Sequence, residues 1–190
     1  MGYEPFLDAM NANPDFDIII GGRAYDPSPY AAYCVHQLMR QTDLTDEQLH
    51  SSLGGFLHMG KILECGGQCS TPKSHGAVAT VYASGLFDVR PMAPDSVCTP
   101  LSVAAHTLYE NTRPDVLRGP GGSIHLDKSH YEQLSDGKTV RVSGSKYRSS
   151  EEDHTPYQFK LEAARIVGYR SMFMGSVKDC TSTTSDKNLG

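Results

Sequence analysis

Long hydrophobic runs are missing from this sequence of 190 residues. Apolar stretches such as the isoleucine triplet at 18–20 are far shorter than the ~20 residues that a membrane-spanning helix needs. The first four residues also lack the basic and then apolar layout of a signal peptide. We therefore expect no membrane association and a cytoplasmic location.

Long blocks of like charge are missing as well. The formal net charge is −5, and the charged residues are spread along the chain without a basic stripe. A protein that binds a nucleic acid or an anionic membrane surface neutralises phosphates with clustered Lys and Arg. We therefore expect no nucleic-acid partner.

The five cysteines are an odd number in a chain without an export signal, which favours reduced thiols over a disulfide framework. Cys65 and Cys69 lie near His58 and His75 in the sequence, but their spacing matches no common zinc pattern. We therefore predict neither a metal nor another cofactor. A metal-dependent hydrolase or hydratase that uses these four side chains remains an alternative.

The composition is that of one globular domain, with 38% hydrophobic and 21% charged residues. N-cap signals and apolar periodicity predict helices at 5–11, 30–39, 46–64 and 100–111. Short β-rich runs predict strands at 16–20, 77–83, 124–126, 139–144, 157–161 and 166–174. The predicted class is α/β, with a strand-helix first half and a β-rich second half, as part of a larger doubly wound-like fold.

Two glycines follow the first predicted strand and precede Arg23 and Asp26. Ligands of doubly wound folds bind at the carboxyl ends of strands. Arg23 is suited to bind a carboxylate through two hydrogen bonds. Asp26 precedes a proline, so it either caps the next helix or moves a proton.

The end of the third predicted helix carries four polar or reactive side chains in one short stretch. Helical spacing of three residues places His58, Lys61 and Glu64 along one face, with Cys65 beside them. Glu64 is then a candidate base at carbon, and Lys61 or His58 is a candidate for opposing developing negative charge. An exposed Lys61–Glu64 pair, worth a few tenths of a kcal/mol, explains the same spacing.

The last predicted helix carries a polar stripe that includes His106 and Glu110, with Tyr109 beside it. We expect the opposite stripe to pack inward; it consists of Leu101, Ala104, Ala105 and Leu108. The polar stripe then lines a cleft or is simply a solvated helix face.

Gly121 and Gly122 lie in a glycine-rich loop before a predicted strand. Such a loop exposes N–H groups that bind an anion, or forms a tight connection that needs positive φ.

Several of these residues fall in motifs that, in this order, resemble the AtuA-like (acyclic terpene utilisation) family. The motifs are GRAYDP at 22–27, HMGKILECG at 58–66, CTPLSVAAHTLYE at 98–110, GPGG at 119–122 and VRVSGS at 140–145. The resemblance covers one domain at 1–179, followed by a tail at 180–190 that we expect to be flexible. The chain resembles the later part of the family's domain, and we expect it to lack the glycine-rich α/β region that lies upstream in that domain.

The resemblance implies an α/β fold and a place in the metabolism of carboxylic acids or acyl thioesters. The family-like motifs include Arg23, Asp26, Glu64, Cys65, His106, Tyr109 and Glu110. We therefore predict a lyase, hydratase or isomerase with acid–base chemistry at carbon. Lys61, Glu64, His106, Asp26 and Cys65 are its predicted catalytic residues. Arg23, Tyr109, Glu110, Gly121 and Gly122 are its predicted substrate-binding residues.

The main alternative is a non-catalytic fragment or subunit. Such a protein completes its fold with a partner chain or a second copy, which would supply the upstream region. This alternative predicts self-association or dependence on a partner.

Overall fold

The computed structural model describes residues 1–43, 45–159, 161 and 163–176. The chain divides into two units, Met1–Lys160 and Leu161–Gly190. The first unit contains every helix and strand described below. No helix in the described part of the chain is long and apolar enough to cross a membrane.

The described residues of the first unit form four α-helices: α1 (Glu4–Ala12), α2 (Ser28–Met39), α3 (Asp46–Leu63) and α4 (Pro100–Thr107). Thr45 and Thr99 begin α3 and α4 through capping boxes with the residues three positions later, Gln48 and Ser102. These reciprocal bonds satisfy N–H groups that have no partner inside the helix. A 3₁₀ turn, Gly66–Cys69, follows α3.

Within the described part of the chain, seven short strands form two antiparallel sheets. Their bounds are β1 (Ala77–Val81), β2 (Phe87–Pro91), β3 (Val116–Gly119), β4 (Gly122–His125), β5 (His130–Gln133), β6 (Val140–Ser143) and β7 (Lys146–Ser149). One sheet has the order β1-β2-β6-β5, and the other has the order β3-β4-β7. The strand β1 therefore lies at an edge.

Helix α3 lies between the two sheets and is buried on all sides from residue 52 to residue 62. One core cluster joins Phe56 and Leu57 of α3 to α2 and to the three-stranded sheet. The other core cluster joins Met59 and Ile62 of α3 to α4 and to the four-stranded sheet. The last turn of α3, which carries the predicted chemistry, is thus held in the interior.

The predicted mixed α/β class, with its strand-rich second half, is confirmed. The predicted strand at 16–20 is wrong, because this segment is not paired with any described strand, and Ile18 is 80% and Ile20 94% exposed. An apolar run becomes a strand only when a neighbour supplies backbone partners. All strand pairs among the described residues are antiparallel, so this part of the chain contributes no parallel pair to a doubly wound sheet.

The strands predicted at 157–161 and 166–174 are also absent where the structure describes them. Their alternating apolar pattern is real, but the described residues provide no paired neighbour. Lys160 and the tail at 180–190 lie outside the described residues. In the second unit, the exposed large apolar side chains include Ile166, Val167, Tyr169, Met172, Phe173 and Met174.

Candidate functional site

Lys61 and Glu64 form a buried ion pair in and just after the last turn of α3. Lys61 Nζ donates a hydrogen bond to Glu64 Oε1, and the two side chains are only 7% and 9% exposed. A buried ammonium group is costly unless it is paired. The alternative of an exposed surface pair is therefore wrong.

Tyr109 and Glu110, which follow the end of α4, also lie close to Lys61. Lys61 Nζ lies 3.9 Å from Glu110 Oε2 and 5.8 Å from the centre of the Tyr109 ring. Glu110 has a left-handed backbone, with φ of 63°. An L-residue adopts this conformation at a cost, and such residues are concentrated at functional sites.

His106 completes this group, which we call the Lys61 cluster: Lys61, Glu64, His106, Tyr109 and Glu110. The rings of His106 and Tyr109 are stacked at 5.7 Å with an interplanar angle of 11°. The His106 side chain bonds the carbonyl of Ile62, whereas its buried Nε2 has no partner among the described residues. A neutral ring that donates through Nδ1 leaves Nε2 as an unused acceptor.

Burial, followed by the charges of Lys61 and Lys73, lowers the pKa of His106, so this ring is neutral at pH 7. Burial raises the pKa of Glu64, against the opposing effect of its bond to Lys61. Desolvation also raises the pKa of the Cys65 thiol, followed by the charge of Glu64. Cys65 is therefore a protonated neighbour at pH 7 and is poorly suited to act as a nucleophile.

The helix α4 is in a different rotational position from the predicted one. Leu101 is 80% and Leu108 43% exposed, whereas Val103, His106 and Thr107 are buried. The helix ends at Thr107 rather than near residue 111. Val103 packs in the second core cluster and Thr107 bonds His58, so the core selects this face and places His106 inside.

The loop before α2 and the first turn of that helix bring Tyr25, Asp26 and Tyr30 to the same region. Burial raises the pKa values of both tyrosines, and the charges of Glu64 and Asp26 raise them further. The Tyr25 hydroxyl is a second buried polar atom without a partner among the described residues. The predicted capping role of Asp26 is wrong, because Pro27 occupies the N-cap and no side chain caps the helix.

Close packing between the backbone of α3 and Pro27 explains why the loop before α2 lies near Glu64. A Cβ atom on Gly60 would lie 2.8 Å from the carbonyl oxygen of Pro27, so only glycine permits the contact. The glycine one residue before Lys61 thus holds the Asp26 loop against the end of α3.

The other predicted substrate-binding residues lie in the loop before α2 and in a β-hairpin. Arg23 is exposed in the loop before α2. Gly121 has a φ of 76° in the hairpin between β3 and β4, and its carbonyl accepts a hydrogen bond from the Tyr147 hydroxyl. Gly122 pairs with Gly119 in that hairpin. The interpretation of this loop as a tight connection accounts for its geometry, and its substrate-binding role remains a prediction.

His58 is part of the core. Its Nε2 lies 2.9 Å from Thr107 Oγ1 and its Nδ1 lies 2.6 Å from Ser145 Oγ, so both ring nitrogens are occupied. Cys69 is fully buried, with its sulfur 3.9 Å from that of Cys98. In the described residues, no three His, Cys, Asp or Glu side chains are arranged to hold a metal. The four proposed metal ligands are therefore not brought together.

The comparison with known proteins agrees with the motifs that converge on the Lys61 cluster. A family model described as Acyclic terpene utilisation family protein AtuA matches residues 1–183. The chain belongs to this family. Searches of curated proteins and of solved structures found no match.

In this AtuA-family chain, the residue-level predictions for Lys61, Glu64, Cys65, His106, Tyr109 and Glu110 converge on one region. Sequence reasoning missed Tyr25 and Tyr30 as neighbours of that region. Tyr25 lies inside the GRAYDP motif beside Asp26, and Tyr30 follows Asp26 by one helical turn. The sequence thus placed both tyrosines close to Asp26, but only the fold shows that this loop meets the end of α3.

Proposed function

We propose that this AtuA-family protein is an enzyme that moves a proton at a carbon atom next to the carbonyl group of a small acyl compound. Such chemistry is common to lyases, hydratases and isomerases. The observation that supports the proposal most is the buried Lys61–Glu64 pair next to the unpartnered Nε2 of His106. Perturbed titratable groups with unused polar atoms are typical of catalytic sites.

Each member of the cluster has a role that follows from its surroundings. Lys61 donates to the carbonyl oxygen and opposes the negative charge that develops there. Glu64 or the neutral His106 accepts the proton from carbon. Tyr109 covers the His106 ring by stacking on it, and its own ring lies near Lys61 Nζ.

The acyl carbonyl is more suitable as a thioester than as a free carboxylate. Asp26, Glu64 and Glu110 all influence this region, whereas Lys61 is the cation that pairs with two of them. The negative charge of a free carboxylate substrate would be repelled by these carboxylates. A neutral thioester carbonyl avoids this repulsion and still accepts a hydrogen bond from Lys61.

The test is hydrogen–deuterium exchange at the α-carbon of acyl N-acetylcysteamine thioesters in D₂O, followed by NMR. We expect the wild type to catalyse exchange and Glu64→Gln to lose about 10²-fold or more, the usual contribution of a general base. Glu47→Gln, an exposed position in the first turn of the same helix, is the matched control. Equal exchange by Glu64→Gln and Glu47→Gln would remove Glu64 from the mechanism.

The pH dependence separates the two candidate bases. A base is active only when deprotonated, so kcat/KM falls as pH falls through its pKa. For Glu64 this fall lies above the ordinary value of 4.5, and for His106 it lies below the ordinary value of 6.5. If His106 is the base, Glu64→Gln still shows the fall of kcat/KM at low pH. If Glu64 is the base, this fall is absent from the variant.

A second candidate function is that of a subunit that pairs with another copy or another chain. The exposed apolar side chains of the second unit favour it, because large exposed apolar patches mark interaction sites. Sedimentation of the purified chain is expected to show association that weakens in Val167→Lys and persists in Arg165→Lys. A monomer at all concentrations would contradict this candidate.

A further inference from the structure

A cavity of about 600 Å³ lies between α2, α3 and the edge strand β1. This volume is within the range of small-molecule sites, which are mostly apolar with a few polar groups. Its walls include Met59 and Leu63 of α3, Leu38 of α2, and Ala79 and Val81 of β1. The strand contributes alternate residues, since Val78 and Thr80 point to the other face.

The walls offer little to a charged ligand. Among the described residues, no Lys, Arg, Asp, Glu or His lines the cavity, and its polar side chains are those of tyrosines, glutamines and Cys34. Burial raises the pKa of this thiol to about 11, so it is uncharged at neutral pH. A hydrocarbon chain therefore suits these walls better than an ionic group.

The cavity adjoins the Lys61 cluster. Leu63 lines it and immediately precedes Glu64 in the chain. Tyr30 also lines it, and this tyrosine lies close enough to Glu64, Asp26 and Cys65 for their charges to raise its pKa. The apolar cavity and the polar cluster are thus neighbouring regions separated by these two side chains.

We propose that the cavity binds the hydrocarbon chain of an acyl thioester whose carbonyl group is held by Lys61. This inference rests on the proposed function and deepens it, because it names the substrate class: thioesters of medium-chain acids rather than of acetate-sized ones. Each methylene that enters the cavity is removed from water, which strengthens binding until the cavity is full.

The test measures the affinity of N-acetylcysteamine thioesters from acetyl to octanoyl by isothermal titration calorimetry. We expect Kd to fall by roughly three- to fourfold for each added methylene, which corresponds to the usual transfer free energy of one methylene group. A heat capacity of binding that becomes more negative with chain length is expected in the same series.

Ala79→Trp fills the cavity, and Val78→Trp places the same ring on the opposite face of β1 as a matched control. We expect Ala79→Trp to weaken octanoyl binding at least tenfold and to leave acetyl binding unchanged. Ala83→Trp, at an exposed wall position after β1, is a second variant if Ala79→Trp unfolds. Circular dichroism and thermal melts verify that each variant is folded.

Lys61→Met separates this inference from the proposed function. If both hold, this variant weakens all chain lengths by a similar factor and keeps the gain per methylene. A wild type without any gain per methylene, or equal effects of Ala79→Trp and Val78→Trp, overturns the cavity inference while leaving the Lys61 cluster as a site. If the wild type shows the gain per methylene but Lys61→Met leaves Kd unchanged at every chain length, the cavity is supported and the role of Lys61 is overturned.

Discussion

Glu110 combines an unfavourable backbone conformation with a contact to the buried lysine. Its φ of 63° is one of two left-handed non-glycine values among the described residues, and the other belongs to His154. Strain of this kind persists only where the surrounding structure imposes it. The strained backbone of Glu110 places its carboxylate next to Lys61, whereas a relaxed turn would place this carboxylate elsewhere.

We therefore expect Glu110→Gly to raise the free energy of unfolding by about 0.5–1 kcal/mol, because glycine adopts this conformation without a steric cost. The same variant is expected to alter thioester binding, since Lys61 loses a carboxylate at 3.9 Å. Urea denaturation and calorimetry measure the two effects. His154→Gly is the matched control, with a similar gain in stability and unchanged binding.

At single positions, the sequence identified side chains that bear chemistry but did not reveal their protonation or burial. Helical spacing alone placed Lys61 beside Glu64. Whether that pair was buried depended on the two sheets that enclose α3, which no local pattern reveals. The unused Nε2 of His106 depends in the same way on the rotational position of α4.

Helix α3 positions the site through its glycines as well as its charged residues. Gly60 lets Pro27 approach the helix, and this contact brings Asp26 and Tyr25 toward Glu64. A glycine inside a helix costs about 1 kcal/mol of helix propensity, so the close contact compensates for it.

Gly60→Ala is expected to destabilise the fold by about 1–3 kcal/mol, because the added methyl group overpacks the contact with Pro27. It is also expected to reduce α-proton exchange by displacing the Asp26 loop. Thermal unfolding and the exchange assay measure both effects. Gly22→Ala serves as the control, since a Cβ atom there meets nothing within 4 Å; a similar loss in both variants would contradict the argument.

Helices were more predictable than strands for a local reason. The capping boxes at Thr45 and Thr99 are contained within four residues, so the sequence alone locates where α3 and α4 begin. The strands β3, β5 and β7 have four residues each, and β7 depends on β4, from which β5 and β6 separate it in the chain. The segments at 16–20 and 166–174 have strand-like composition without such partners in the described structure.

His58 links parts of the molecule that are distant in sequence. Thr107 Oγ1 donates to the carbonyl of Val103, so it accepts from His58 Nε2, and His58 Nδ1 accepts from Ser145. The ring thereby joins α3 to α4 and to the loop between β6 and β7. Protonation of Nδ1 would force the Ser145 hydroxyl to accept instead of donate, and it would place a charge in the core.

This arrangement makes the fold sensitive to acid. Burial lowers the pKa of His58 from the ordinary 6.5 to about 3. Between these values the unfolded state binds more protons than the folded state, so the stabilisation is complete above about pH 6.5 and is lost as pH falls toward 3. The lowered pKa of His106 acts in the same direction, and the raised pKa of Glu64 opposes it.

We expect the free energy of unfolding to fall with a slope that approaches about 1.4 kcal/mol per pH unit within this window. His58→Gln is expected to be less stable at pH 7, because one of the two hydrogen bonds is lost, but to show a flatter dependence between pH 6.5 and 3. Urea denaturation across this range measures the slope. His130→Gln, at an exposed position on β5, is expected to keep the wild-type slope. If His58→Gln also keeps it, the acid sensitivity arises from other groups, and the core histidine is not the residue that couples protonation to folding.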